Sequence, residues 1–242
     1  MLTALRRARR SLPLGLRSDA VELLDGDSLS RAEIERNLVD LARLSLLPGG
    51  AGASVAGVRR LVGRRHDVRI LDAGVGRGDL PITFARHGWT TVAVDRHPEV
   101  LRVARRETAA EPRVEVVDAD VRTLPFADHS FDVSHTSLLI HHLDPPGVVA
   151  ALRELRRVAR HGVVINDLRR GILPLVATAL SVTALGGSHV TRNDAVVSAR
   201  RAYTLDELDV LIGAAGLSVA WRSPPWMPRV VTAATATATG GA

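Results

Sequence analysis

The chain has 242 residues, of which 46% are hydrophobic and 24% charged, with a formal net charge of +6. This composition excludes a disordered or collagen-like chain. The absence of cysteine excludes a disulfide scaffold, a thiolate metal site and a cysteine nucleophile, and makes a reducing cytoplasm the default location. Because all 32 basic residues are Arg, the basic pI of about 11.2 owes much to the high guanidinium pKa, and nucleic acid is disfavoured as a partner.

Residues 1–64 read as a helical cap. Met1 to Arg10 is basic, but Ser11 to Ala20 carries Arg17 and Asp19 and forms no apolar leader core. Ser30 with Glu33 has capping-box spacing. Ile34, Leu38, Leu41 and Leu44 to Leu47 then recur at helical period, until Pro48-Gly49-Gly50 stops the run. A second helix is expected over Ala53 to Val62.

From residue 65 the pattern alternates. Strands are expected at Val68–Leu71, Thr90–Val94, Val114–Val117, within Phe131–Ile140, and at Gly162–Ile165. Helices separate them: one ends near Gly88, one runs from Pro98 to about Ala110, and one runs from Pro145 to a stop at Gly162. Such alternation specifies an α/β fold, a doubly wound parallel sheet with helices on both faces. Residues 169–201 interrupt the order with the uncharged run Gly171 to Val190, too broken by Pro174 and glycines for a stable membrane span. Thr204 and Glu207 form a second capping box. Leu217–Trp221 and Val230–Ala234 suit a closing hairpin around Pro224-Pro225, and the small-residue tail from Thr235 is expected to fray. Arg153, Arg156, Arg157 and Arg160 read as a solvated helix face.

The most informative stretch is Asp72-Ala73-Gly74-Val75-Gly76-Arg77-Gly78, where a strand enters alternate glycines and then a helix. Glycines there let the backbone approach a ligand. The third glycine of a dinucleotide fingerprint would fall at 79, which is Asp, and no phosphate-loop Lys follows. The loop therefore suits a nucleoside without a pyrophosphate. Asp95 ends the next strand, where an acid can bond ribose hydroxyls. Asp120, with Val121 beside it, ends the third strand.

The run from Asp72 through Gly78, Asp95, Asp120-Val121-Arg122-Thr123-Leu124-Pro125-Phe126 and Phe131-Asp132 to His141-His142-Leu143 resembles class I S-adenosylmethionine-dependent methyltransferases. The resemblance implies a Rossmann-like seven-stranded sheet whose last strand is antiparallel, with S-adenosyl-L-methionine as cofactor. It further implies that Asp72, Gly74, Gly76 and Gly78 face the methionine portion, Asp95 the ribose, and Asp120 with Val121 the adenine, with Thr136 and Ser137 nearby. Arg77 departs from the small residue common inside the loop, and Ser134 and His135 make strand four unusually polar.

The flanks, including Leu23-Leu24-Asp25, Asn166-Asp167-Leu168-Arg169-Arg170 and Ser198 to Thr204, look like bacterial O-methyltransferases of phenolic polyketides. The resemblance implies a cytoplasmic enzyme with a lipophilic, phenolic small-molecule acceptor, covered by the N-terminal helices and the insertion at 169–201. A homodimer is compatible with this reading. RNA methylation and a non-methylating, cyclase-like or binding role stay open as alternatives.

A phenol is mostly protonated at neutral pH, so a histidine base would help. His141 after strand four is the leading candidate, oriented by Asp167 after strand five, and His189 is the second. His129 and His135 are expected to be structural. No His, Asp or Glu group has metal-ligand spacing along the chain, so metal independence is expected. Asp144-Pro145-Pro146 reads as a helix N-cap with Pro at the first position.

Overall fold

The computed structural model describes residues 17–20, 22–26, 29–224, 227 and 229–237. The basic start at 1–10, Pro225 and the last residues of the tail lie outside them. Two N-terminal helices, α1 (Arg31–Leu44) and α2 (Ala51–Val62), precede β1 (Arg69–Ala73), α3 (Asp79–Arg86), β2 (Thr90–Asp95), α4 (Pro98–Thr108) and β3 (Val114–Asp118). Then come β4 (Phe131–Ser137), α5 (Pro145–Val158), β5 (Ala159–Leu168), α6 (Ile172–Ala184), α7 (His189–Arg201), α8 (Leu205–Ala214), β6 (Leu217–Arg222) and β7 (Arg229–Ala236). The sheet runs β3-β2-β1-β4-β5-β7-β6. Strands β1 to β5 are parallel, and β7 lies antiparallel between β5 and β6. This is the seven-stranded Rossmann-like sheet that the sequence implied.

Local chemistry sets the helix starts as expected. Ser30 and Thr204 each close a reciprocal capping box with Glu33 and Glu207, and the Asp144 side chain accepts from the Gly147 backbone with Pro145 next in line. Strand alternation divides the core between the sheet's two faces. Leu71, Ala73, Val94, Phe131 and Ile165 pack with Leu152, Leu155, Leu211 and Ile212 from α5 and α8. Ile70, Val133, Val164 and Val231 pack with Val55, Val58 and Val62 of α2 and with Phe84.

Three local expectations are corrected. Helix α5 ends at Val158, and Gly162 lies inside β5, where a Cβ would sit 2.3 Å from the Ala234 carbonyl oxygen. Gly162 thus serves close strand approach and not helix termination. Thr235 and Ala236 do not fray, because they pair with Ser218 and Leu217 on β6. The arginines of α5 are not a uniformly solvated row. Arg157 ties together Glu154, Asp128 and the carbonyls of Leu124 and Phe126, while Arg153 donates to the Ala214 carbonyl.

Two glycines of α2 should respond oppositely to substitution. A Cβ on Gly57 would meet Val164 Cγ1 at 2.8 Å and Val231 Cγ1 at 3.0 Å, whereas one on Gly52 meets nothing within 4 Å. Because valine is stiff about its first side-chain torsion, Gly57→Leu should lower unfolding stability by ~1–3 kcal/mol. Gly52→Ala should raise it by ~0.4–1 kcal/mol. Urea midpoints of the two variants check the pair.

Candidate active site

The carboxyl ends of the parallel strands open onto a cavity of about 420 Å3. Open α/β sheets bind ligands on this edge. On one part of its wall lie Gly74, Gly76, Asp95, Asp120, Val121 and Ser137. Apolar side chains of α1 and its following turn, Leu38, Leu41, Leu44 and Leu47, line it together with Leu139 and Leu143.

The glycine loop holds Gly74, Gly76 and Gly78 at positive φ, a region that L side chains rarely adopt. The amides of Gly74 and Val75 both donate to the Val94 carbonyl, which locks the loop to β2. A Cβ on Gly76 would meet nothing, so backbone is presented bare to the cavity; on Gly78 it would strike Thr108 Cγ2 at 2.6 Å. Gly78 therefore serves packing on α4 and does not line the cavity. Arg77, which also lines the cavity, pairs with Glu107 at 2.6 Å.

Asp95 accepts from the Arg96 and His97 amides through Oδ1. Burial pushes its carboxyl up from the ordinary range, against those two bonds. Asp120 behaves oppositely. A fork of bonds from Arg122 holds its carboxyl down at about 2.

Asp72 and Thr136 do not line the cavity. Asp72 shares the β1 face of Ile70, away from Leu71 and Ala73, and its Oδ1 meets His135 Nδ1 at 2.6 Å. His135 Nε2 meets Ser54 Oγ at 2.9 Å, and Ser54 receives Asn166 Nδ2 at 2.8 Å. This fully buried chain ties β1, β4 and β5 to α2. It explains His135 in strand four, while Ser134 donates to the Leu155 carbonyl at 2.8 Å. Thr136 is also fully buried, because alternation turns it from the strand end into the core.

His141 and Asp167 come together. His141 is 3% exposed and lines the cavity, while Asp167 sits behind it, with Oδ1 2.6 Å from Nδ1 and Oδ2 accepting from the His141 amide at 3.2 Å. Burial is the largest influence and works to raise the Asp167 carboxyl, but His141, the Leu168 amide and His142 together hold it below its ordinary value. A carboxylate on Nδ1 places the proton there and leaves the Nε2 lone pair on the other side of the ring. The turn around the histidines is pinned by three outside groups. Arg17 donates to the His141 and Leu143 carbonyls, Arg201 to the His142 carbonyl, and the Tyr203 hydroxyl to the Leu143 carbonyl. His189 is elsewhere: it opens α7 behind the Ser188 cap, is exposed, and does not line the cavity.

Two further cavity residues, Glu22 and Arg229, are absent from the sequence-based site. Glu22, 5% exposed, reaches His141 Nε2 at 3.6 Å and His142 Nε2 at 3.7 Å. Its segment is held by Asp194 of α7, whose carboxylate accepts the Leu23 and Leu24 amides. Arg229, at the start of β7, donates to Ser137 Oγ at 2.7 Å, and burial pulls its guanidinium down to about 10. A charged residue opening an otherwise apolar strand was the available hint for Arg229. Glu22 had none beyond its place beside the flank Leu23-Leu24-Asp25. The ligand atoms of Glu22, His141 and His142 all lie within 4.8 Å of one another, a group that spacing along the chain had not revealed.

The strand order, the glycine loop and the acid ending β2 resemble those of class I S-adenosylmethionine-dependent methyltransferases. Residues 70–162 match the family model described as a methyltransferase domain. Among curated relatives, the chain is 38% identical over 110 residues to a demethylmenaquinone methyltransferase of Clavibacter sepedonicus, covering 45% of this chain and 44% of that one. It is 34% identical over 115 residues to a malonyl-[acyl-carrier protein] O-methyltransferase of Pseudescherichia vulneris, covering 47% and 44%. The aligned part thus spans less than half the length of either relative. Among solved structures, an S-adenosylmethionine-dependent methyltransferase from Aquifex aeolicus aligns with a TM-score of 0.59 at 18% identity, over 86% of this chain and 98% of its own. Mitomycin 7-O-methyltransferase aligns with a TM-score of 0.56 at 20% identity, over 76% and 53%.

S-adenosylmethionine is the cofactor of this class, and the residues present fit it: bare loop backbone at Gly76, and an Asp95 carboxylate with donors recorded only on Oδ1 among the described residues. No helix among the described residues is long and apolar enough to cross a membrane.

Proposed function

We propose that the protein methylates a lipophilic aromatic small molecule at a phenolic oxygen. The observation that carries this reading is a single cavity lined by the cofactor-side residues, by leucines of α1 and its following turn, and by His141 backed by Asp167. About 420 Å3 is within the usual range for small-molecule sites, which are mostly apolar with a few placed polar groups. In this reading Gly74, Gly76, Asp95, Asp120, Val121 and Ser137 hold the cofactor. The helices within 1–64 and the insertion at 169–201 cover the acceptor.

When bound, S-adenosylmethionine supplies an electrophilic methyl group. The protein's own residues then have to aim the acceptor oxygen and relieve it of its proton. Correct aim can be worth ~7–11 kcal/mol. The Nε2 lone pair of His141, kept available by Asp167 on Nδ1, draws off the phenolic proton. The names of the curated relatives, a demethylmenaquinone methyltransferase and a malonyl-[acyl-carrier protein] O-methyltransferase, support an acceptor other than nucleic acid. So do the ion pairs that engage surface arginines such as Arg102, Arg106 and Arg157.

The test follows conversion of S-adenosylmethionine to S-adenosylhomocysteine by mass spectrometry, with alkylresorcinols, other phenols and total RNA as separate acceptors. Turnover with a phenol, and a one-methyl mass gain on it, is expected. Turnover with RNA alone would overturn the proposal.

A further inference from the structure

We infer that Glu22, His141 and His142 form a divalent-cation site whose open side takes the acceptor's oxygen. The inference deepens the acceptor reading above and rests on it. The three side chains come from two places, the N-terminal segment and the turn after β4, and the fold brings one ligand atom of each within 4.8 Å of the others. Glu22 Oε1 lies 3.6 Å from His141 Nε2, and its other oxygen, Oε2, lies 3.7 Å from His142 Nε2. Four-coordinate zinc, with bonds of about 2.0–2.2 Å, puts neighbouring ligand atoms roughly 3.3–3.6 Å apart. Each Glu22–histidine contact falls near that spacing, so the carboxylate and the two rings can close on an ion by side-chain movement.

Three independent features favour an ion over a simple ion pair. The donor set is two imidazoles and one carboxylate, the set that binds zinc with a coordination position left open for substrate. His141 also has the supporting shell of a metal ligand: its Nδ1 faces the Asp167 carboxylate at 2.6 Å. That contact orients the ring and fixes the tautomer with Nε2 turned toward the group. Finally, all three residues line the acceptor cavity, with Glu22 and His141 buried and the turn carrying both histidines held by Arg17, Arg201 and Tyr203. A rigid, half-closed group with one face toward a cavity is how catalytic metal sites differ from closed structural ones.

An ion here takes over the task of the His141 lone pair. The phenolic proton passes to a hydroxide on the ion, which leaves as water, and the acceptor oxygen takes the vacated position as an oxyanion. Charge on that oxygen is what an electrophilic methyl group requires.

The test is calorimetric titration of metal-stripped protein with zinc sulfate. One zinc per chain is expected in the unmodified protein and in His66→Gln, an exposed histidine outside the cavity. Glu22→Gln and His142→Gln should each abolish that binding, and Asp167→Asn should weaken it by about 10–100-fold. A mere ion pair would show none of this. If Glu22→Gln fails to fold, His142→Gln carries the test, since its side chain is only half-buried. Absence of zinc binding, or binding indifferent to both substitutions, overturns the site. Full phenol turnover by metal-free protein overturns the role given to the ion while leaving the acceptor reading intact. Zinc bound as expected by a protein that methylates no phenol keeps the site and overturns that reading.

Discussion

His141→Ala is expected to lower turnover on a phenol by about 10²–10⁴-fold, the usual contribution of a placed proton-transfer group, with the dissociation constant for S-adenosylmethionine nearly unchanged. The separation follows from geometry. His141 reaches the cavity from the turn after β4, whereas the glycine loop is locked to β2 by its own backbone bonds and Asp95 by the Arg96 and His97 amides. Removing the imidazole also removes the partner of a buried carboxylate. Asp167 keeps the Leu168 amide at 2.7 Å and the residue 141 amide at 3.2 Å, so the fold should persist, which a melting curve would show. Both roles argued for the Nε2 lone pair are lost together. Asp167→Asn is the finer probe, since an amide in that place can donate to Nδ1 and turn the proton to Nε2. Turnover that survives His141→Ala unaltered would leave positioning as the whole of catalysis.

Asp95→Ala should produce the largest loss on the cofactor side. A hydrogen bond to a charged group contributes ~1.5–3 kcal/mol, and each ~1.4 kcal/mol is tenfold in affinity. Loss of a carboxylate that serves ribose hydroxyls should therefore weaken S-adenosylmethionine by about 10–100-fold. Equilibrium dialysis would check it. The wild-type pH dependence carries the same signature. Burial raises the Asp95 carboxyl, and its protonated form is the poorer acceptor, so affinity should fall with decreasing pH and begin to do so above the ordinary carboxylate range. Asp120 cannot be the source, because Arg122 holds it at about 2 and it stays charged throughout. Affinity that is flat with pH and untouched by Asp95→Ala would take the ribose away from Asp95.

Much of the sheet was legible in the chain because its signals are local. Apolar runs bounded by glycine and proline placed all seven strands within a few residues, and the two capping boxes and the Asp144-Pro145 start need no distant partner. Gly162 was misassigned for the converse reason. Its need for a bare Cα comes from Ala234 across the sheet, and nothing near it in sequence announces that neighbour.

The site divides along the same line. Sequence by itself determined the class of ligand: glycines in series after a strand, an acid ending the next strand, and a His-Asp pairing at two strand ends that the fold brings to 2.6 Å. Whether a side chain at a strand end points into the cavity or the core depends on pleat and register, and only the tertiary structure decided it. Asp72 went to His135 and Thr136 into the core, while Ser137, one residue on, reached the cavity. The tertiary structure alone also brought Glu22 against the two histidines, held by Asp194 from a helix near the other end of the chain. Buried polar groups find partners wherever the backbone carries them, and that pairing over long separations leaves no periodicity to read.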